Sequence, residues 1–170
     1  MSIYGYRIKF VLVHGVYGNI TIPIATASVR IRSGDPSYMQ VTIPDYYGYL
    51  TAINARSDGA MYLYKRIRGT GVWDLITWVN LETIRTDIGT RNKSITLSGH
   101  RTFTNSSPVT VDLQDYSYVS TAARTSIRCS IINNPEPADR VIAGAYADIT
   151  ADQITYTINS RQATIEITGI

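Results

Sequence analysis

Residues 27–45 read A-S-V-R-I-R-S-G-D-P-S-Y-M-Q-V-T-I-P-D, and this stretch decides the fold class. Apolar side chains occupy every second position on both sides of a polar turn, at Val29, Ile31, Met39, Val41 and Ile43. Successive side chains of a strand point to opposite faces, so each half has one apolar and one polar face. The turn holds a glycine and a proline, which favour chain reversal. The stretch therefore predicts two β-strands joined by a turn.

The same alternation recurs along the chain, with turn residues between the apolar runs. Short strands separated by turns are typical of an antiparallel β-barrel or sandwich. The sequence therefore predicts an all-β fold with little helix, as one domain over residues 1–170. If the domain divides into two small packed β-lobes, the predicted sub-lobes are 1–104 and 105–170.

The secondary structure of several segments is ambiguous in the sequence, and we state a prediction for each. Residues 50–56 are predicted to form a strand, as are residues 72–84, where the Trp, Val, Ile and Thr content favours a strand over a helix. Residues 148–152 are predicted to be a turn, and 133–139 a long hairpin turn. Residues 154–168 are predicted to form a terminal hairpin, because apolar residues alternate on both sides of the turn at 159–162. Gly99, inside an alternating run, predicts a β-bulge or a sharp bend.

The composition limits the class of partner. Charged residues make up only 17% of the chain, and the net charge of +3 is spread along it without a basic block. The densest basic group, K-R-I-R at 65–68, is predicted to be an exposed strand face or an edge protected by charge rather than a phosphate site. The amino terminus lacks the pattern of a signal peptide, and no run approaches the length of a membrane helix.

Catalytic and metal-binding patterns are weak in this sequence. His14 and His100 are far apart, and the single cysteine, Cys129, lies in an apolar row that predicts a buried structural thiol in a chain compatible with a reducing compartment. Acidic residues sit in turns or on polar strand faces, at Glu82, Asp87, Asp112 and Asp115. The sequence therefore predicts no enzyme activity, no metal and no cofactor. A small β-barrel hydrolase using an acid or the cysteine stays open as a minor alternative.

Tyrosine is the most unusual feature of the composition, with 13 Tyr against 2 Phe. A tyrosine ring combines an apolar face with a polar tip, which suits half-wet interfaces. Clustered tyrosines form either an interface or a packed corner, and the sequence favours neither. The candidate interface residues are Tyr46, Tyr47, Tyr49, Tyr116 and Tyr118. The same tyrosines could stack on sugar rings, so a carbohydrate-binding β-sandwich is the second hypothesis.

Three motifs carry a resemblance to a known family: S-V-R-I-R-S-G-D-P-S-Y-M-Q-V-T-I-P-D at 28–45, S-D-G-A-M-Y-L-Y-K-R at 57–66 and S-I-T-L-S-G-H-R-T at 94–102. Residues 39–45 and 95–99 contribute most of it. The pattern resembles β-barrel domains of tailed-phage tail-tip and baseplate proteins, of the hub and distal-tail kind.

The resemblance implies a non-catalytic virion structural protein. Such a protein would be made in the host cytoplasm and assembled into the tail. It would form a homo-oligomeric ring, trimeric or hexameric, around the channel through which DNA leaves. It would dock neighbouring tail or baseplate proteins. DNA would only pass through, without specific binding, and no membrane span is implied.

Overall fold

A computed structural model of the chain describes residues 2–3, 6–44, 48–67, 69–88, 93–121 and 123–170. The fold is all-β, as predicted, and the described helix is limited to one short segment. The chain divides into two compact units. Unit 1 comprises Met1–Ala27, Tyr38–Arg101 and Asn159–Arg161, and unit 2 comprises Ser28–Ser37, Thr102–Ile158 and Gln162–Ile170.

Unit 1 is built around two long antiparallel strands, β2 (Tyr6–Val13) and β6 (Ala60–Ile67). The two pair along their whole length, and Phe10 lies opposite Leu63. On the outer side of β2 lie β1 (Ser2–Ile3) and β3 (Ile20–Ile22). On the other side of β6 follow β7 (Asp74–Ile88), β8 (Lys93–Thr102) and the unit 1 part of β5 (Pro36–Pro44).

The core of unit 1 is the apolar face of this sheet. Its fully buried side chains come from alternate positions of the strands, which is the period-two pattern seen in the sequence. They include Phe10, Leu12, Met39, Val41, Ile43, Met61, Leu63, Val79, Ile95 and Leu97. The helix α1 (Leu50–Asn54) adds the buried Ile53. At about 25 cal/mol per Å² of apolar area, each such side chain contributes about 2 kcal/mol.

Gly99 lies at a β-bulge, as its position in the sequence predicted. Leu81 of β7 pairs with Gly99 of β8, but the next pair is Thr83 with Ser98, so Glu82 is the extra residue. A Cβ added at Gly99 would overlap the Asn80 carbonyl oxygen and lie 2.8 Å from its carbon. Glycine is needed here because the two backbones approach too closely for any side chain.

Unit 2 is organised around the terminal hairpin of β13 (Ala147–Ile158) and β14 (Ala163–Gly169), which the sequence predicted. Along the chain, β4 (Thr26–Arg32) enters the unit and neighbours β13. β14 pairs with β11 (Thr125–Ser130), which pairs with β10 (Tyr118–Thr121). β12 (Arg140–Ala143) pairs with the start of β13 and runs parallel to β9 (Thr110–Asp112). Over the described residues the strand order has two ends, β1 and β10, so the sheet is not closed.

A buried carboxylate organises the loop before β12. Asp139 is 2% exposed, and one of its oxygens accepts hydrogen bonds from Asn105 Nδ2 and the Val109 backbone N–H, each at 2.9 Å. Its other oxygen accepts from the Glu136 backbone N–H at 2.9 Å. Three donors compensate for the burial of the charge. The loop is thereby fixed to residues 105–109, and the neighbouring Ala138 holds a positive φ of 73°.

Three local predictions were wrong. Residues 50–54 form α1 instead of a strand. The prediction failed because a five-residue helix with one buried side chain shows too little hydrophobic periodicity to be recognised in the sequence. Residues 148–152 continue β13 instead of turning: Ile149 and Ala151 are buried between exposed polar neighbours, which is strand alternation. The segment 133–139 is a loop but not a hairpin turn, because β11 and β12 do not pair with each other.

Candidate interaction surfaces

A row of aromatic and basic side chains lies on the face of unit 1 opposite the core, and we call it the aromatic stripe. It is formed by Lys9, Tyr62, Tyr64, Arg66, Trp73, Trp78 and Arg101, all half-buried. Strands β2, β6, β7 and β8 contribute all of these residues except Trp73, which lies in the β6–β7 connection. Because alternate residues of β6 point to opposite faces, Met61 and Leu63 are buried while Tyr62 and Tyr64 belong to the stripe.

The rings of the stripe pack against one another. Tyr62 stacks on Trp78 with ring centroids 5.5 Å apart and planes 8° from parallel, and on Tyr64 with centroids 6.2 Å apart. The guanidinium of Arg101 lies 4.1 Å from the Trp78 ring centroid. Each aromatic pair of this kind contributes about 0.5–1.5 kcal/mol beyond burial.

Two cations and Trp73 complete the stripe. Lys9 Nζ lies 4.5 Å from the Trp73 ring centroid and 4.9 Å from that of Tyr64. The Arg66 guanidinium lies 5.0 Å from the Trp73 ring. Cation–π contacts at partly exposed sites contribute about 0.5–1 kcal/mol each. The stripe is therefore a preorganised, positively charged surface with its ring faces largely covered, which suits a flat protein contact better than stacking on a sugar ring.

A second feature of unit 1 is the turn between β2 and β3, which carries an apolar tip formed by Val16 and Tyr17. These side chains are 83% and 59% exposed. His14 Nδ1 accepts hydrogen bonds from the backbone N–H groups of Val16, at 3.0 Å, and Tyr17, at 3.1 Å. Its Nε2–H therefore donates to Asp58 Oδ1, at 2.8 Å. The Arg56 guanidinium binds the same turn by donating hydrogen bonds to the carbonyl oxygens of Tyr17 and Gly18.

The hydrogen bond from His14 at this turn affects Asp58. The hydrogen bond from His14 is the largest cause that lowers the pKa of the Asp58 carboxyl below its ordinary 3.8. The carboxyl is therefore ionised at neutral pH, and it is 83% exposed at the base of the tip. The tip thus combines two exposed apolar side chains with a carboxylate, Asp58, and a guanidinium, Arg56, at its base.

A cleft of about 520 Å³ opens beside the first half of β2, and we call it the Trp73 cleft. Its walls are mainly apolar and its rim carries two cations. The lining residues are Arg7, Ile8, Lys9, Phe10, Thr21, Ile22, Pro23, Ile24, Tyr49 and Trp73. Its volume falls within the range of about 300–1,000 Å³ typical of ligand pockets.

Unit 2 carries an exposed aromatic pair in which one predicted interface residue takes part. Tyr116 packs edge-on against Tyr146, with ring centroids 6.0 Å apart, and Tyr146 is 71% exposed. A Cβ on Gly144 would overlap the Tyr116 hydroxyl. Gly144, at a positive φ of 53°, thus makes room for the half-buried Tyr116 ring.

The described part of the chain includes three of the five predicted interface tyrosines, Tyr49, Tyr116 and Tyr118. Tyr49 precedes α1 in unit 1 and lines the Trp73 cleft, and Tyr116 lies in unit 2. Tyr118 is the first residue of β10. Tyr46 and Tyr47 lie outside the described residues. Their role as an interface, and the carbohydrate-binding alternative, both stay predictions.

The aromatic stripe was missed by sequence reasoning, although its signal was present. The alternation of apolar and polar residues in β6 places Tyr62, Tyr64 and Arg66 on one face, but it does not identify their neighbours on β2, β7 and β8. The prediction that K-R-I-R is an exposed face was wrong for Lys65, which is fully buried on the core face beside Leu63. Arg66 belongs to the stripe, and Arg68 lies outside the described residues.

The remaining candidates for chemistry occupy structural positions. His100 Nδ1 lies 2.7 Å from Glu82 Oε2 on the exposed side of β7 and β8. Cys129 is 3% exposed, which confirms the predicted buried thiol. Over the described ranges, no three His, Cys, Asp or Glu side chains are grouped so that they could hold a metal ion. Within the same ranges, every helix is too short or too polar to cross a membrane.

Comparison with solved structures finds proteins of this fold. A tail protein from Neisseria meningitidis MC58 aligns with a TM-score of 0.59 and 7% identity, covering 98% of this chain and 96% of the other. The 43 kDa tail protein of prophage MuSo2 from Shewanella oneidensis aligns with a TM-score of 0.61 and 7% identity, covering 96% and 98%. No family model and no curated protein sequence matches the chain.

The chain therefore has the fold found in these two tail proteins over nearly its whole length. The resemblance to phage tail proteins expected from the sequence is confirmed at the level of the fold. At 7% identity, side-chain roles cannot be transferred from one protein to the other, so the surfaces of this chain are interpreted from its own residues.

Proposed function

We propose that this chain is a structural component of a phage tail. The observation that carries the proposal is the alignment with two tail proteins, which covers at least 96% of every chain compared. A whole-length match means that the likeness concerns the complete arrangement of strands and not one common hairpin. The role is non-enzymatic: the chain contributes surfaces for assembly.

In the finer form of the proposal, the chain forms a homo-oligomeric ring, trimeric or hexameric, at the tail tip or baseplate. The ring surrounds the channel through which DNA leaves, and its outer surfaces dock neighbouring tail proteins. The stripe supports docking, because aromatic and arginine side chains are enriched in protein interfaces. The net charge of +3 is too small and too dispersed for specific DNA binding, so DNA only passes.

The interface residues proposed from the sequence divide between the two units. Tyr49 offers its ring to the Trp73 cleft, and Tyr116 supports the exposed Tyr146. Tyr46, Tyr47 and Tyr118 are proposed on the sequence pattern alone. Tyr49 and Tyr116 are half-buried, and they lose little conformational entropy when a partner covers them, because each has only two side-chain torsions.

The experiment is to purify particles of the phage or prophage that encodes the chain. Quantitative mass spectrometry should find the chain in a fixed copy number that is a multiple of three. Cryo-electron microscopy should place it in the tail. Made in the host cytoplasm, the chain would also be found there before assembly. A chain absent from washed, intact particles would overturn the proposal.

A matched pair of variants tests the stripe as a docking surface. Trp73→Ala and Arg66→Ala remove a ring and a cation from the stripe. Arg30→Ala, at an exposed position of β4 in unit 2, removes a cation elsewhere. We expect the two stripe variants to fold but to be incorporated poorly into tails, and the unit 2 variant to be incorporated normally. If all three variants were incorporated equally, the aromatic stripe would not be a docking surface.

A further inference from the structure

The hydrogen bonds that hold the apolar tip converge on one ring nitrogen. His14 Nδ1 accepts from the backbone N–H groups of Val16, at 3.0 Å, and Tyr17, at 3.1 Å. A backbone amide nitrogen only donates, so Nδ1 must present its lone pair and cannot carry a proton. The proton of the neutral ring is therefore on Nε2, which donates a hydrogen bond to Asp58 Oδ1 at 2.8 Å. The turn is thus compatible with one tautomer of His14 and with the neutral ring only.

The tip depends on these hydrogen bonds because its own side chains face water. Val16 and Tyr17 are exposed, so burial contributes little to their placement. The His14 side chain, in contrast, is only 9% exposed, and its ring centroid lies 5.1 Å from that of Tyr17. The orientation of one half-hidden ring therefore determines the conformation of an exposed turn.

Protonation of His14 reverses the role of Nδ1. A protonated imidazole donates from both nitrogens and accepts at neither. An N–H group at Nδ1 would point at the two N–H groups of Val16 and Tyr17, so both hydrogen bonds would be lost and three N–H dipoles would repel one another. The tip then has to move away from the ring, or the ring has to rotate away from the tip.

The charged groups that face His14 do not cancel this effect. Asp58, in the connection between α1 and β6, favours a charged ring, but it is 83% exposed, and exposed ion pairs contribute little. Its hydrogen bond from Nε2 is already present in the neutral ring, so protonation adds no new bond there. Arg56, just after α1, binds the carbonyl oxygens of Tyr17 and Gly18 and places a cation beside the turn, which opposes a second one. The Tyr17 phenol adds no charge at neutral or acidic pH.

We propose that His14 is a pH-dependent switch for the tip: the neutral ring holds Val16 and Tyr17 in one arrangement, and protonation of Nδ1 releases them. Histidine is the side chain whose ordinary charge change falls between about pH 5 and 8, and the release is to be sought there. Asp58 stays ionised throughout this range, because the hydrogen bond from His14 lowers its pKa below its ordinary value. The inference concerns the isolated chain and does not depend on its role in a tail.

The test follows the tip by NMR in the full, isotope-labelled chain as the pH is lowered from about 8 to about 5. At the upper pH, the imidazole nitrogen spectrum should show a protonated Nε2 and an unprotonated Nδ1 in His14. The backbone amides of Val16 and Tyr17 should have order parameters near about 0.85, the value of rigid backbone, and these should fall below about 0.6 as the ring is protonated.

The matched variants use the two histidines of the chain. His14→Asn keeps an acceptor in place, because asparagine Oδ1 and histidine Nδ1 are both bonded to Cγ, and an asparagine oxygen accepts from backbone amides two residues on. Asparagine does not titrate, so the tip of this variant should stay ordered at the lower pH. His100→Asn removes the histidine beside Glu82, and its tip should be released at the same pH as in wild type.

Three results would each overturn the inference. The first is a proton on Nδ1 of His14 at the upper pH. The second is a wild-type tip whose order does not change as the His14 ring is protonated. The third is an equal loss of order in His14→Asn, which would assign the change to another group. The first two are measured on the wild-type chain and do not depend on the folding of a variant.

Discussion

Replacing Gly99 with alanine should destabilise unit 1 severely. A Cβ at this position would overlap the Asn80 carbonyl oxygen and lie 2.8 Å from the carbonyl carbon. Non-bonded carbon atoms prefer about 3.5–4.0 Å and the overlap with the oxygen is larger still, so β7 and β8 would have to separate locally by about 1.5 Å. That displacement lengthens backbone hydrogen bonds beyond their usual range of about 2.7–3.2 Å.

The magnitude follows from what the separation breaks. Two backbone hydrogen bonds beside the bulge contribute about 1 kcal/mol each, and loosened packing of the neighbouring core adds about 1–2 kcal/mol. We expect a loss of about 3–4 kcal/mol in the free energy of unfolding. With a urea m-value of about 2 kcal/mol per M, the midpoint should fall by about 1.5–2 M.

The assay is urea unfolding followed by tryptophan fluorescence, since both tryptophans, Trp73 and Trp78, report on unit 1. The matched control is Gly15→Ala, because a Cβ at Gly15 meets nothing within 4 Å. The control should leave the midpoint unchanged or raise it slightly, since alanine restricts the unfolded chain. If Gly99→Ala and Gly15→Ala unfold at the same midpoint, the account of the bulge is wrong.

Three further predictions concern other contacts. Asp139→Ala strands three N–H donors in a buried loop and should cost about 3–5 kcal/mol, measured by denaturant unfolding. Asp58 should titrate below 3.8 in a carboxyl NMR titration; because its pKa is lowered in the folded state, its contribution to stability is present above 3.8 and is lost as the pH falls through the folded-state pKa. A double-mutant cycle of Tyr62→Ala and Trp78→Ala should return a coupling of about 0.5–1.5 kcal/mol.

Each of these predictions has a control. Asp148→Ala removes an exposed partner of Arg140 and should unfold at the wild-type midpoint within error, so an equal loss for Asp139→Ala and Asp148→Ala would contradict the role of burial. In His14→Ala the pKa of Asp58 should return towards 3.8, and an unchanged titration would show that His14 is not its cause. For Tyr62 and Trp78, a coupling energy indistinguishable from zero would mean that stacking of the two rings does not stabilise the fold.

The sequence predicted the strands whose two faces differ clearly. In β5, Met39, Val41 and Ile43 are fully buried and their neighbours are not, as the alternation required. β7 was also predicted correctly against a helical alternative, because its residues favour strands. Period-two patterning therefore determined most of unit 1 and the terminal hairpin of unit 2.

Sequence reasoning failed where a short element or a local polar residue dominated. The five residues of α1 cover little more than one turn, so their periodicity could not be separated from that of a strand. Asp148 and Asp152 resembled turn residues, but they are exposed positions of β13, which continues through both of them. Asp139 gave no signal, because its three donors come from distant or irregular segments.

The candidate surfaces were also only partly predictable from the sequence. The pattern of β6 predicted which side chains share a face, but the aromatic stripe depends on strand order, which brings β2, β7 and β8 beside it. The predicted tyrosines were chosen because they are close in sequence, whereas the structure groups aromatic rings across strands. A cross-strand register cannot be read from spacing alone.

The burial of Cys129 gives the chain a practical advantage. It is the only cysteine in the sequence and is 3% exposed, so a thiol reagent applied to the folded protein has little access to it. A second cysteine placed at an exposed position would then be the single reactive handle. Fluorophores or gold clusters could be attached there one per molecule, and the subunit could be counted and located inside an intact particle without altering its native thiol.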